Sequence, residues 1–419
     1  MRADTVVIGA GLAGLTCALR LAEEGRKVAV VATGAGSLHL GGATIDILGY
    51  DPDPVTSPAA ALGSFIQAQP EHPYARVSPE LRARALEWLG ARCEPLRLTG
   101  SLDRNLMLPT AVGALKPSAL APHSLAAGDL SKGGKVALVS FSALKDFYPQ
   151  LAAANLNRAK AGSTEPIEAR AIELLGTIGG EADPGPLRLA RAFEAAAFRH
   201  EVAARLERRI EPGERVGFPA VLGLERSPEV VTELTERLGT VVFEIPTLPP
   251  SIPGLRLHAL LNRALKKAGG RVVMGAPVVS SAAHGRRLEA VSTATGARRR
   301  SSHEARDFVV ATGGVSAGGV TLDSSWDFKE SALALPLAGV PPQGTERFCT
   351  DVFGSHPASR VGVATDDEWR PLDSGGRVVY DNVRVCGATL AGAEPHREKS
   401  GNGISLVTGY AVSDAILRS

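Results

Sequence analysis

The chain has 419 residues, 44% hydrophobic and 21% charged, a globular composition that excludes disordered, collagen-like and disulfide-miniprotein chains. At roughly 100–200 residues per domain it holds two or three domains around a sizeable core. With 46 basic against 44 acidic residues the net charge is +2, so no nucleic-acid footprint is expected, while a local pocket for a small anion stays open.

The residues Arg2-Ala3-Asp4 lead straight into Thr5–Ile8, a β-branched run that reads as a buried strand, with no basic and apolar signal-peptide pattern before it. Gly9-Ala10-Gly11-Leu12-Ala13-Gly14 follows and opens a helix that ends at Gly25; a second strand runs from Arg26 to Ala32. This is G-x-G-x-x-G between strand and helix, the context in which it binds a dinucleotide. Gly9 permits the tight turn, Gly11 lets a pyrophosphate approach the backbone, and Gly14 lets the helix pack on the strand. Leu12 and Ala13 contribute first-turn N–H groups at the positive end of the helix.

The second strand ends in Ala32-Thr33-Gly34-Ala35-Gly36-Ser37, without the acidic residue that grips a ribose. Thr33 offers only a hydroxyl, so either the ribose is held by other groups or the cofactor has no adenosine half. The next loop, Ser37 to Asp46, is rich in small residues; Gly41, Gly42 and Ala43 suit a backbone lying against a flat ring. Two later segments point the same way, towards a flavin. Phe308–Gly314 is a buried strand ending in Thr312 and Gly313, and Asn382–Ala388 is a strand ending at Gly387. Gly401-Asn402-Gly403 and Ile404 then open a last helix aimed at the flavin's pyrimidine edge.

Residues 49 to about 251 are too many for a loop. They hold helices near Pro79–Leu89, Ser142–Leu156, Pro186–Leu206 and Glu229–Leu238, strands at Lys135–Phe141 and Val241–Ile245, and a Gly/Pro-punctuated stretch Phe218–Leu224. Leu108–Lys132 reads as a surface loop or as a lid carrying Lys116. Leu255–Ala268 is a helix, Arg271–Met274 a strand, and 278–293 a β-meander. The order resembles the two-domain flavoproteins that include glutathione reductase and succinate dehydrogenase. The expected fold is α/β, a Rossmann-like FAD/NAD(P)-binding flavoprotein fold with an inserted mixed α/β substrate domain. The cofactor domain takes 1–50, 252–320 and 376–419; the inserted domain takes 51–251 and 321–375.

Cys17, Cys93, Cys349 and Cys386 form no C-x-x-C pair, so no metal or iron–sulfur site is expected on this chain. No apolar run reaches the roughly 20 residues that span a bilayer. The expected location is the cytoplasm, with any membrane association made through a partner.

The chain resembles the B subunit of the anaerobic, quinone-linked glycerol-3-phosphate dehydrogenase family. The most specific segment is Pro246-Thr247-Leu248-Pro249-Pro250-Ser251-Ile252-Pro253-Gly254-Leu255-Arg256-Leu257, which has the family's T-L-P-P-S-x-x-G-x-R-L pattern. Leu38-His39, Asp46, His72-Pro73-Tyr74, the stretch around Gly113, Phe147, Gly223-Leu224, Gly362–Asp366 and Arg370-Pro371 are also similar. The resemblance implies a flavin-bearing component that takes part in oxidising sn-glycerol 3-phosphate. Electrons would pass through the flavoprotein (A) and iron–sulfur (C) components of the complex to menaquinone, the complex lying at the inner face of the membrane. It implies FMN, whereas the glycine motif favours FAD. The chain departs from the family at Gly401-Asn402-Gly403, where a longer glycine run is the pattern, and in the charged Pro395-His396-Arg397-Glu398-Lys399.

Oxidising a secondary alcohol needs a base for the hydroxyl proton and cations for the phosphate. His39, in the loop after the second strand, is the first candidate base; it can equally satisfy loop backbone. His72 reads as a turn residue and His396 as exposed. Lys116 and Arg256 are the phosphate candidates, with Arg360 and Arg370 behind them. Arg256, near a helix start, can instead form an interdomain salt bridge. Arg286-Arg287 and Arg298-Arg299-Arg300 read as a solvated face, and Asp366 either orients a base or caps a turn. Two further readings stay open: a flavin-carrying relay or scaffold component, and a flavoprotein dehydrogenase for another small anionic hydroxy acid or a dicarboxylate.

Overall fold

The computed structural model describes residues 2–159, 165–177, 179–294, 296, 300–352 and 354–419; Met1, Arg298 and Arg299 lie outside the described residues. Strand β1 (Arg2–Ile8), helix α1 (Leu12–Glu23) and strand β2 (Val28–Ala32) form as the pattern requires. Helices α2 (Pro58–Ala68) and α3 (Pro79–Arg92) each begin on a proline, after a serine whose Oγ accepts a first-turn N–H. A hairpin of β3 (Leu106–Pro109) and β4 (Leu115–Ser118) replaces the expected loop. Then come β5 (Gly134–Phe141), α4 (Pro149–Leu156), β6 (Ile167–Leu174), α5 (Pro186–Phe193), α6 (Ala196–Leu206), β7 (Arg215–Pro219), α7 (Ser227–Leu238) and β8 (Val242–Ile245). The chain returns through α8 (Ile252–Lys267), β9 (Arg271–Met274), β10 (Val278–His284), β11 (Arg287–Ala294), β12 (Arg300–Val310) and β13 (Val383–Val385), and closes with α9 (Gly401–Arg418).

The first sheet runs β9-β2-β1-β12, with β13 also on β12, all parallel; β11 and β10 extend it as an antiparallel meander from β12. Ile8 is level with Val31 on one side and Val310 on the other, and Val310 with Val385. The carboxyl ends of the central strands therefore meet at one edge. The chain leaves β1 for β2 on one flank and later returns as β12 on the other, which makes that edge the topological switch point where ligands bind.

A second sheet, β6-β5-β7-β8, is parallel throughout. The inserted unit is thus itself a small doubly wound sheet, more regular than the mixed α/β domain expected. Strand β7 is masked in the sequence by Gly217 and Pro219. Gly217 is there because a Cβ would sit 2.7 Å from Phe243 Cζ, so the strand needs a glycine to close on its neighbour. The predicted helix Pro186–Leu206 breaks in two at Glu194, whose carboxylate accepts the N–H groups of Leu224, Glu225 and Arg226.

The cores divide the chain differently from the expected boundary at 51. Val55, Leu62, Phe65, Leu86, Leu89 and Leu96 pack into the cofactor-domain core, as do Leu333, Leu335, Val363 and Trp369. The second core begins at Leu130 and ends at Ile252. Burial of apolar side chains of α2 and α3 in the first core, with α3 packed against α9 and α8, decides this assignment.

Candidate functional site

The glycine motif is fixed by contacts at two positions and open at the third. A Cβ on Gly9, whose φ is +118°, would lie 2.2 Å from Ala311 O, and one on Gly14 would lie 2.0 Å from Gly9 O. At Gly11 nothing lies within 4 Å of such an atom. Gly11 is the N-cap of α1 and brings no capping side chain, and the first turn carries no acidic residue. The N–H groups at Leu12 and Ala13 thus face a cradle with no side chain in it, at the positive end of a buried helix. That cradle fits the phosphate of a nucleotide cofactor.

The other predicted cofactor contacts gather at the same edge. Gly36, at φ +67°, folds the loop after β2 back on Gly11, where its Cβ would be 2.9 Å from Gly11 Cα. Thr33 is exposed, and Gly41 and Gly42 are half-buried. Gly42 lies against Pro246, and Ala43 holds φ at 60°, a conformation uncommon outside glycine and asparagine. Across the switch point, Gly313 N donates to Thr389 Oγ1 (3.0 Å), which ties the turn after β12 to the turn after β13. Thr312 is half-buried beside it. Gly387 donates to Thr408 Oγ1 (2.8 Å) and lies so close to Ala13 that a Cβ would be 2.8 Å from the alanine methyl.

At the start of α9 the predicted residues separate. Gly401 is half-buried and on the open side. Gly403 donates to Asp46 O (3.0 Å), and its Cβ would be 2.4 Å from Tyr74 Oη, while Ile404 is in the core. Gly403 and Ile404 therefore pack this helix end in place, while Gly401 and Asn402 are only half-buried. Asn402 Nδ2 donates to Thr44 O (2.8 Å).

A buried polar network anchors that helix end, and only His72 in it is conspicuous in the sequence. His72 Nδ1 accepts Tyr74 N–H (3.1 Å), as expected of a turn residue, and its Nε2 meets Glu398 Oε2 (3.2 Å). Glu398 also accepts Ser400 Oγ–H (2.7 Å) and Glu394 N–H (2.8 Å). Burial opposes its charge, yet these bonds and His72 hold the carboxyl below its usual range.

The three catalytic candidates stand in separate environments. Lys116 Nζ pairs with Asp46 Oδ2 (2.6 Å) and donates to Thr44 Oγ1 (2.7 Å), the two residues whose carbonyls meet the start of α9. His39 stacks edge-on against His258 with ring centroids 4.6 Å apart, and its Nε2 is buried without a partner. Burial lowers the His39 pKa; burial and then the charge of His39 push His258 down to about 4. Arg256, on α8, reaches into the inserted unit. It donates to both oxygens of Glu244 (2.6 and 2.9 Å) and to the carbonyls of Leu222 and Gly223. The expectation of a phosphate contact at Arg256 is replaced by a buried ion pair. The physical reason is that Ser251 caps α8, so the helix starts at Ile252 and Arg256 falls on its buried face.

The remaining charged candidates are engaged locally. Arg360 pairs with Glu394 (3.1 Å) and Arg370 with Asp366 (2.8 Å); Arg286 pairs with Asp381. Asp366 caps a turn, accepting Glu368 and Arg370 N–H. His396 is exposed and lies over His356, with centroids 5.2 Å apart. Among the described residues no group of histidine, cysteine and carboxylate side chains is arranged to hold a metal, and no helix is long and apolar enough to cross a membrane.

Residues 4–404 match the FAD binding domain family. The chain is 35% identical to a probable anaerobic glycerol-3-phosphate dehydrogenase B subunit of Halobacterium salinarum, over 99% of this chain and 98% of that one. It is 30% identical to the B subunit of the anaerobic glycerol-3-phosphate dehydrogenase of Aliivibrio fischeri, over 100% and 96%. Among solved structures it is similar to a flavocytochrome c3 fumarate reductase in its open conformation. That match has 10% identity and a TM-score of 0.45, covering 100% of this chain and 78% of that one.

Proposed function

The chain belongs to the B-subunit family of anaerobic glycerol-3-phosphate dehydrogenases, flavoproteins with the FAD binding domain, and from that premise we propose that it takes part directly in oxidising sn-glycerol 3-phosphate to dihydroxyacetone phosphate. Membership makes it a flavin oxidoreductase and one component of an assembly. The finer reading adds a flavoprotein (A) component, an iron–sulfur (C) component and a quinone as the terminal acceptor. The full-length identity to the named relatives carries the proposal, and Lys116, beside the start of α9, supports the phosphate-bearing substrate. The absence of any clustered cysteines among the described residues agrees with an iron–sulfur partner elsewhere in the assembly.

Bound here, a flavin would supply the acceptor for the hydride of the substrate's carbinol carbon. The first turn of α1, from Gly11 to Ala13, holds a cofactor phosphate through backbone N–H groups. The start of α9 would present a positive helix end to the ring of a bound flavin. Lys116 holds the substrate's phosphate as a point charge. His39 takes the hydroxyl proton; its low pKa keeps the ring neutral near pH 7, and its Nε2 has no competing partner. The glycine motif and the match to the FAD binding domain favour FAD, whereas the B-subunit resemblance and Thr33 in place of an acidic residue favour FMN.

The test is product formation. The purified chain, alone and with the other components of its assembly, is incubated with sn-glycerol 3-phosphate and a quinone analogue. Dihydroxyacetone phosphate formed in proportion to reduced quinone supports the reading. A flavin-loaded assembly that leaves glycerol 3-phosphate untouched and oxidises a 2-hydroxy acid or dicarboxylate overturns it.

A further inference from the structure

The Lys116–Asp46 pair has a third member that no sequence pattern singles out. Lys399 is far from Lys116 in the chain, yet the fold brings the two lysine-bearing segments together at Gly49. A Cβ on Gly49 would be 2.8 Å from Lys399 Cβ and 2.9 Å from Pro117 Cγ, so the glycine is what lets the turn before α9 close on β4. Lys399 is half-buried, and its Nζ donates to His396 O (2.5 Å), leaving two of its three N–H donors.

Three observations make this a built site. First, Lys116 takes the Asp46 carboxylate, while Lys399, brought alongside at Gly49, donates to a backbone carbonyl and pairs with no carboxylate among the described residues. Burial, with the like charge of Lys116 beside it, pushes the Lys399 pKa down against the pull of Asp46, so the cluster lacks negative charge. Second, Asp46 is 8% exposed, and its Oδ1 is buried with no hydrogen-bond partner, while Oδ2 is taken by Lys116. A buried carboxylate oxygen without a donor is costly and calls for an O–H or N–H from a ligand. Third, Lys399 is the left-handed C-cap (φ 51°) of the short helix Pro395–Glu398, which fixes the backbone from which its side chain projects.

We propose that Lys116, Lys399 and Asp46 form a clamp for a phosphorylated polyol, the two ammonium groups taking the phosphate oxygens and Asp46 Oδ1 accepting a hydroxyl O–H. The proposal rests on the glycerol-phosphate reading and adds Lys399 and Asp46 to it. The same chemistry, a phosphate ester beside a hydroxyl, occurs in sn-glycerol 3-phosphate and in the ribityl phosphate chain of a flavin, and the test separates these sources.

The experiment measures, on flavin-loaded protein, the equilibrium binding of sn-glycerol 3-phosphate, inorganic phosphate and glycerol, together with the flavin-to-protein ratio, for wild type, Lys116→Met, Lys399→Met and Lys399→Arg. Loss of one charge-assisted contact weakens binding by about tenfold to a hundredfold. The expected result is that each methionine variant loses that much affinity for both phosphates and keeps its flavin, with Lys399→Arg retaining most of the binding. Flavin lost from both methionine variants, at unchanged thermal midpoint, also supports the clamp and assigns it to the flavin's own phosphate chain. Unchanged binding and unchanged flavin in Lys399→Met overturn the proposal. If Lys116→Met alone weakens glycerol 3-phosphate, the glycerol-phosphate reading stands and the clamp falls. If wild type binds neither phosphate, that reading falls, and the clamp survives only where flavin retention depends on both lysines.

Discussion

Replacing Arg256 by methionine separates a structural arginine from a substrate-binding one. The guanidinium makes five short contacts, two to the Glu244 carboxylate and three to the carbonyls of Leu222 and Gly223, and the paired side chains are 3% and 0% exposed. Glu244 Oε1 also accepts Leu222 N–H (2.8 Å), so the carboxylate is held in place after the arginine is gone. Methionine fills much of the volume but leaves a buried carboxylate without its counter-charge. Removing one partner of such a pair costs about 3–5 kcal/mol. The double change Arg256→Met with Glu244→Leu leaves no orphaned charge and is expected to recover most of that loss. The assay is hydrogen exchange of the Phe218–Ile245 amides under native conditions, which reads the opening free energy of the inserted core locally. A single variant within about 1 kcal/mol of wild type would refute the reasoning. So would one that keeps its stability and loses affinity for sn-glycerol 3-phosphate, because Arg256 would then be a ligand contact.

Two glycines of the same motif are expected to fail in opposite ways. Gly11→Ala meets no atom within 4 Å at an ordinary φ of −76°, so the protein stays folded while its flavin content falls. Gly14→Ala drives a methyl to 2.0 Å from Gly9 O and destabilises the fold by about 1–3 kcal/mol or more; thermal midpoint and flavin-to-protein ratio distinguish the two. The His39–His258 pair makes stability depend on pH. His258 titrates near 4 in the folded chain against its ordinary 6.5, so between those values the unfolded state binds more protons. Stability is therefore complete above about pH 6.5 and is lost as pH falls towards 4, by about 1–2 kcal/mol once partial exposure is discounted. His258→Leu is expected to flatten that slope in denaturation curves taken across the window; an unchanged slope contradicts the burial argument.

The parts of this molecule written in local sequence are legible, and those created by long-range packing are not. Thr5–Gly14 dictates strand, turn and helix because Gly9 and Gly14 answer steric demands from the next strand and from the turn itself, while Gly11 leaves the first turn of α1 open. The parallel strands β5 and β8 are visible as short apolar runs, whereas β7 carries Gly217 and Pro219 and reads as a loop until Phe243 is placed against it. The expected boundary near 51 does not coincide with the division between the two cores, because α2 and α3 bury their apolar sides in the first one, a choice their own sequences do not announce. Arg256 looks like a helix-entry residue if the helix is started at Leu255; the cap at Ser251 moves the start back to Ile252 and turns Arg256 inward. Lys399 and Glu398 sit in a segment that looks merely charged. Their partners, Lys116 with Asp46 and His72, come from far along the chain, and no spacing rule connects them.

The most direct test is to purify the chain, record its visible spectrum, release and identify the flavin, and add sn-glycerol 3-phosphate anaerobically. The expected result is a bound flavin whose oxidised band, at about 450 nm as is usual for this cofactor, bleaches with glycerol 3-phosphate but not with glycerol. A flavin that stays oxidised until the other components of the assembly are supplied contradicts direct substrate chemistry in this chain and leaves it an electron relay. A chain that purifies and refolds without any flavin contradicts the cofactor assignment itself.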